Sequence, residues 1–193
     1  MQHNLVDILQ VNPEIQLDIR YSTENNFLGF AVYPLPLCFL HRAAAKALND
    51  VQKEAKSLGF SLKVYDGYRP LSVQQIMWDK VQDERYCSNP AVNKGRHTRG
   101  TAVDLILVDK AGNELEMPTA FDDFSEKAHA FAPCSKEAHK NRELLRILMG
   151  NQGFHMLSTE WWHFDLMGWK DDLRYPPLDI SFEQLGAFGL SHI

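Results

Sequence analysis

Gly95-Arg96-His97-Thr98-Arg99-Gly100-Thr101-Ala102-Val103-Asp104 leads straight into an apolar run that ends at Val108. Ala102 to Val108 has the length and composition of a strand buried on at least one face. His97 and Asp104 stand seven residues apart, a spacing that no single strand brings to one face. Gly100 breaks the segment between them, so His97 is free to sit on the preceding loop and fold back over Asp104. Further on, Glu160-Trp161-Trp162-His163 supplies a carboxylate and a second histidine among aromatic residues. A sheet that pairs these two strands sets His163 opposite Asp104.

Two histidines and one aspartate make an open three-ligand zinc site, one ion per chain, and a spare glutamate is the base that metal-assisted hydrolysis needs. Each feature alone has a plainer explanation. A lone histidine–aspartate pair is usually a buried hydrogen bond, a loop glutamate a solvated acid, a tryptophan plain core, and Arg69 an ordinary salt bridge. The third ligand and the adjacent glutamate together shift the balance to a zinc peptidase, with His97, Asp104 and His163 on the metal and Glu160 as general base. Glu160 and His163, three apart, face opposite sides of a regular strand, which places Glu160 in the turn before it. Asp165, in phase with His163, reads as a supporting partner of that histidine. Arg69 lies between a strand and Pro70 on a stiff backbone, and an arginine fixed in a cleft stabilises the oxyanion formed when water attacks a carbonyl.

At 193 residues the chain suits a single domain over 1–193 with a real core. The net charge of −5 argues against nucleic acid as main partner and leaves a small zwitterionic substrate compatible. The N-terminus lacks the basic start and apolar run of a secretory signal, and no stretch approaches a membrane span. Cys38, Cys87 and Cys134 are odd in number and widely spaced, which reads as free thiols in a reducing, cytoplasmic compartment.

The periodicity predicts a strand around Ile15, Leu17 and Ile19, a helix from about Leu40 to Leu58 capped by Gly59, and a strand begun by Leu62 and Val64. A second helix is expected from Ser72 to Val81, with Ser72 as its cap. Arg85 to Arg99 reads as a long functional loop, and Asp109 to Asn113 as a hairpin turn towards Leu115 and Met117. Phe121 to Pro133 is irregular, His139 to Met149 a helix closed by Gly150, and Phe154–Leu157 and Trp162–Leu166 paired strands. The tail with Pro176 and Pro177 is expected to wrap the surface. Together these make an α+β fold, a mostly antiparallel sheet with helices packed on it.

Gly-x-His-Thr-Arg-Gly-Thr-Ala-Val-Asp at 95–104, Asp66-Gly67-Tyr68-Arg69-Pro70 and Glu160-Trp161-Trp162-His163-Phe164, in this order, resemble the D-alanyl-D-alanine dipeptidases of the vancomycin-resistance (VanX) type. That group belongs with the zinc D,D-peptidases that share a fold with the Hedgehog signalling domain. The likeness runs from about Asp18 to the final strand. It implies zinc on His97, Asp104 and His163, Glu160 as base and Arg69 at the transition state. It further implies that Tyr21 lies near the substrate's amino end and that Asp122 pairs with its ammonium group. The implied reaction is hydrolysis of D-Ala-D-Ala to two D-alanines. The chain departs from the pattern at Gly95, where the family has a serine; Arg96, Thr98 or a backbone N–H is left to hold the substrate carboxylate. His155 is a second departure, placed towards the pocket rim. The rival readings are a D,D-carboxypeptidase or endopeptidase acting on peptidoglycan stems, and a non-catalytic zinc module that binds a partner.

Overall fold

The computed structural model describes residues 4–84 and 87–189. The reading of the first three residues as no leader, and the Arg85 start of the long loop, fall outside them. The elements, in chain order, are β1 (Leu5–Asp7), α1 (Ile8–Val11), β2 (Gln16–Leu17), β3 (Phe39–His41), α2 (Arg42–Ser57), β4 (Ser61–Asp66), α3 (Leu71–Val81), β5 (Ala102–Val108), α4 (Lys136–Asn151), β6 (Phe154–Leu157), β7 (Glu160–Leu166) and α5 (Phe182–Gly189).

The strand β5 is buried along its whole length and sits in the middle of a five-stranded sheet ordered β2-β4-β5-β7-β6. An unbroken apolar strand needs neighbours on both edges and cover on both faces, and it has them. Three of the four pairings are antiparallel and the edge pairing of β2 with β4 is parallel, so the sheet is mixed. A separate antiparallel pair joins β1 to β3. The helix α2 buries Ala44, Leu48, Val51 and Ala55 at helical spacing, packs on β3 and β4, and meets α4, which covers β5 and β6. Among the described residues no helix is long and apolar enough to cross a membrane.

Several boundaries differ from the sequence expectation, each for a local reason. Leu40 belongs to β3, and α2 starts at Arg42 because His41 Nδ1 accepts the Ala43 N–H at 3.2 Å as a cap; Gly59, at φ +89°, follows the helix as expected. Ser72 does not cap α3: its N–H and hydroxyl both donate to Asp179, at 2.9 and 2.7 Å. The helix α4 starts at Lys136, where Ser135 accepts the Ala138 N–H at 3.0 Å, and runs through Gly150. Asp109 to Asn113 does turn the chain, but pairing stops at the Val108–Glu114 bridge and no strand reaches Met117. The tail does more than wrap the surface. The Leu178 N–H donates to Thr98 O, its carbonyl accepts from Leu71 N, and Tyr175, Phe182 and Leu185 are buried.

Gly100 joins the sheet to the β1–β3 pair. Its φ of +66° caps the 3-10 turn His97–Arg99, and a Cβ there would stand 2.6 Å from Leu5 Cδ2 and 2.8 Å from the His41 nitrogen. Only glycine meets both conditions.

Candidate active site

The residues Asp66, Asp104 and His163 lie side by side across β4, β5 and β7, in register as Asp66↔Asp104 and Asp104↔His163. The register shifts between Val64 and Asp66, where β4 carries an extra residue and its alternation breaks. A second irregularity lies at the start of β7: one step from Met156 to Leu157 on β6 spans Phe164 to Glu160 on β7. Glu160 is therefore the first residue of the strand and not part of the preceding turn. The extra residues cancel its period-2 opposition to His163, and its Oε2 reaches 3.8 Å from His163 Nδ1. His97 arrives from the 3-10 turn before β5, and its Nε2 stands 3.4 Å from Asp104 Oδ2.

The ligand atoms of His97, Asp104 and His163, all buried, lie within 4.8 Å of one another. The histidine tautomers follow from their outer partners. His97 Nδ1 lies 2.8 Å from the Gly67 carbonyl and His163 Nε2 lies 3.1 Å from Asp165 Oδ1, both acceptors, so those nitrogens carry the protons. That leaves His97 Nε2 and His163 Nδ1, 3.2 Å apart, as the nitrogens that would face a metal once deprotonated. Asp104 Oδ1 is 2.9 Å from His163 Nδ1, yet it is buried with no partner in hydrogen-bond geometry. Two imidazole nitrogens and a carboxylate oxygen without a hydrogen-bond partner, gathered this closely, fit a divalent cation, and a two-nitrogen, one-oxygen set suits zinc.

The electrostatics agree with that fit. Burial works against charge on His163, but Asp165 and Asp104 outweigh it and push the imidazole up to about 10, so a proton sits where a divalent cation would displace it. Burial alone would raise Asp104; His97 and His163 overcome it and leave the carboxyl below its usual range. Burial pushes the Glu160 carboxyl up to about 7, with His163 opposing and Asp104 assisting.

The cleft around these groups has a volume of about 240 Å³ and is lined also by Tyr21, Arg69, Gln74, Arg96, Asp122 and Trp162. Arg69 is clamped: Nη2 donates to Asp66 Oδ2 at 2.6 Å, Nη1 donates to Gln74 Oε1 at 3.0 Å, and the guanidinium lies 5.1 Å from the centre of the Tyr21 ring. The Tyr21 hydroxyl donates to Asp122 at 3.1 Å. Asp122 takes a left-handed backbone, φ 62°, a conformation that aspartate adopts more readily than most residues other than glycine. Burial, then the neighbouring Asp104 and Glu160, push its carboxyl well above the usual range.

His97, Asp104, His163, Glu160, Arg69, Tyr21 and Asp122 thus line one cleft. His155 does not: it is exposed on β6 opposite Asp165 and lines an adjoining basin. Trp162 faces the cleft, whereas Trp161 donates from its indole to Thr119 Oγ1 at 3.0 Å. Sequence reasoning missed Asp66 and Gln74 as supports. Asp66 was readable in principle, because an acid three residues before Arg69 is within reach of it; Gln74 carried no signal.

A mixed sheet presenting two histidines, an aspartate and a buried glutamate in one cleft defines a metal-dependent hydrolase. The family model described as D-ala-D-ala dipeptidase (Peptidase_M15) matches residues 1–179, and the chain belongs to that family. The D-alanyl-D-alanine dipeptidase of Escherichia coli K12 is 36% identical over 190 residues, covering 98% of this chain and 96% of its own. The Enterococcus faecalis enzyme of the same name is 32% identical over 189 residues, covering 87% and 92%. That of Streptomyces coelicolor is 30% identical over 173 residues, covering 79% and 86%. Among solved structures, the vancomycin-resistance D,D-dipeptidase VanXYg in complex with a D-Ala-D-Ala phosphinate analogue aligns over 80% of this chain and 61% of its own, at 22% identity and a TM-score of 0.45.

Proposed function

We propose that this chain, acting as one catalytic domain, hydrolyses D-Ala-D-Ala to two molecules of D-alanine with one zinc ion held by His97, Asp104 and His163. The observation that carries the reading is the convergence of those three donors beside a buried glutamate, in the cleft that also holds Asp122. When bound, zinc supplies Lewis acidity, polarising a carbonyl oxygen and acidifying water. Glu160 takes the proton from the water that attacks the peptide carbonyl, then delivers it to the departing amine as the C–N bond breaks. Arg69, locked by Asp66 and Gln74, faces the oxygen that becomes negative and stabilises it without reorganising. Asp122, steadied by the Tyr21 hydroxyl, receives the substrate's ammonium group and makes a free amino terminus a condition of binding. The three free cysteines suit a reducing compartment, and we place the enzyme in the cytoplasm.

The test is D-alanine release from D-Ala-D-Ala by the zinc-loaded protein, beside L-Ala-L-Ala, a stem pentapeptide and a chelated control. Chelator-sensitive release from the D,D dipeptide alone is the expected result. Glu160→Ala should keep its zinc and lose about a thousandfold in kcat, within the range for a general base. Substantial turnover in that variant would remove Glu160 from its role, and cleavage of the pentapeptide would favour a carboxypeptidase.

A further inference from the structure

A dipeptide is a zwitterion, and the proposed reading assigns a partner to only one of its ends. The cleft has an acid for the ammonium in Asp122; Arg69, with one N–H of each terminal nitrogen held by Asp66 and Gln74, is already assigned to the oxyanion, so the carboxylate needs a further donor. The segment around His97 offers three further donors, and two are already used. The Thr98 hydroxyl is fully buried and donates to Lys94 O at 2.7 Å and Gly95 O at 3.2 Å. The Gly95 N–H donates to Asn93 Oδ1 at 2.9 Å. A side chain at Gly95 would be strained and tightly placed. At φ +82° an added Cβ would lie 3.3 Å from the Gln74 amide that holds Arg69.

Arg96 is the third. Its side chain, 31% exposed, lines both the cleft and the adjoining basin, and that basin includes none of Tyr21, Phe27, Asp122 or Phe124. It therefore stands on the flank away from the Asp122 end. Among the described residues its hydrogen-bond partner is Asp165, reached from Nη1, and its guanidinium lies 4.8 Å from the centre of the Trp169 ring. A guanidinium has five N–H donors in a planar fork, so anchoring one edge leaves others directed at a ligand. The anchor also fixes the fork in advance, which lowers the entropy cost of binding.

We propose that Arg96 binds the C-terminal carboxylate of the dipeptide and makes a free carboxyl terminus part of the substrate's definition. This rests on the dipeptidase reading above. It is tested with zinc-loaded enzyme on D-Ala-D-Ala and on its C-terminal amide, in wild type, Arg96→Gln and Arg96→Lys. The wild type should prefer the acid to the amide by about tenfold or more in KM, as expected for a charge-assisted hydrogen bond. In Arg96→Gln the KM for the acid should rise about 10- to 100-fold with a far smaller change in kcat, and the acid-to-amide preference should collapse. Arg96→Lys should restore part of it.

Arg96 also braces Asp165 behind His163, so a purely supporting role would lower turnover of both substrates alike. Retention of the wild-type preference in Arg96→Gln overturns the proposal, and so does a wild type that does not discriminate. A wild type that cleaves neither substrate overturns the dipeptidase reading instead. Calorimetric titration of Glu160→Gln and of the Glu160→Gln, Arg96→Gln double variant with both dipeptides gives the same comparison as Kd values, independent of turnover.

Discussion

Asp66→Asn is the sharpest test of how the cleft is held together. Asp66 is fully buried; Oδ2 accepts from Arg69 Nη2 at 2.6 Å, and Oδ1 accepts the Tyr33 hydroxyl and the Gly67 N–H, both at 2.8 Å. Asparagine has the same shape but only one acceptor oxygen. If its amide faces Arg69, two donors meet; if it faces Gly67, the same conflict arises there. An unsatisfied buried donor costs about 1–3 kcal/mol, and breaking a buried ion pair by removing one partner costs about 3–5 kcal/mol. Because the asparagine oxygen still serves one side, about 3 kcal/mol is the expected loss. With a urea slope of about 2 kcal/mol per molar, the midpoint should fall by about 1.5 M. Catalysis should suffer separately. Arg69 keeps its bond to Gln74 but loses its main anchor, so kcat should fall about a hundredfold, within the range for removing an oxyanion donor, while KM changes little. Urea unfolding and steady-state kinetics on one preparation read both numbers. A loss under about 1 kcal/mol with kcat near wild type would refute the view that Asp66 carries Arg69.

Two further predictions concern the frame. His41 has its pKa lowered from 6.5, first by burial and then by Arg174 and Arg42, and its Nδ1 must stay unprotonated to cap α2. The unfolded chain therefore binds the proton first, so the stability from this group is full above pH about 6.5 and is lost as pH falls through the lower folded value. His41→Asn, which keeps a capping acceptor, should flatten the difference in urea midpoint between pH 7.5 and 5.5; an unchanged difference would clear His41 of the effect. Gly100→Ala should cost about 3 kcal/mol, the sum of left-handed strain and a clash with the His41 backbone, and should weaken zinc retention by shifting His97. A urea midpoint close to wild type would contradict it.

The convergence of His97, Asp104 and His163 was legible because each motif carries its own punctuation. Gly100 separates His97 from the strand, the run to Val108 fixes β5, and the aromatic residues around His163 mark a second buried strand. The helix α2 was readable from its apolar stripe, whereas its start was not, because His41 is a rare cap and Leu40 is drawn into β3 by pairing with Val6. The supports around Arg69 were harder to see. Gln74 reaches it from α3, and Gln74 is itself held by the Ser88 carbonyl at 2.8 Å, a contact between parts of the chain with no shared periodicity. Tyr21 and Asp122 meet across 101 positions of sequence, and only the resemblance paired them with the substrate.

What sequence periodicity could least foresee is that the sheet's irregularities make the site. Regular alternation would set Glu160 and His163 on opposite faces, and would leave Asp66 out of the row that Asp104 and His163 share. The extra residue near Tyr65 and the extra residues at the start of β7 each break that alternation once, on the two strands that flank β5. The first brings Asp66 level with Asp104, where it also lies 3.7 Å from His97 Nδ1; the second brings Glu160 over His163. A one-residue slip in either pairing would bury the wrong set of side chains, so register is enforced by the core. The core packing that makes β5 stable therefore also holds three carboxylates and two imidazoles in one buried cluster, an arrangement that without a cation to share would be costly to keep.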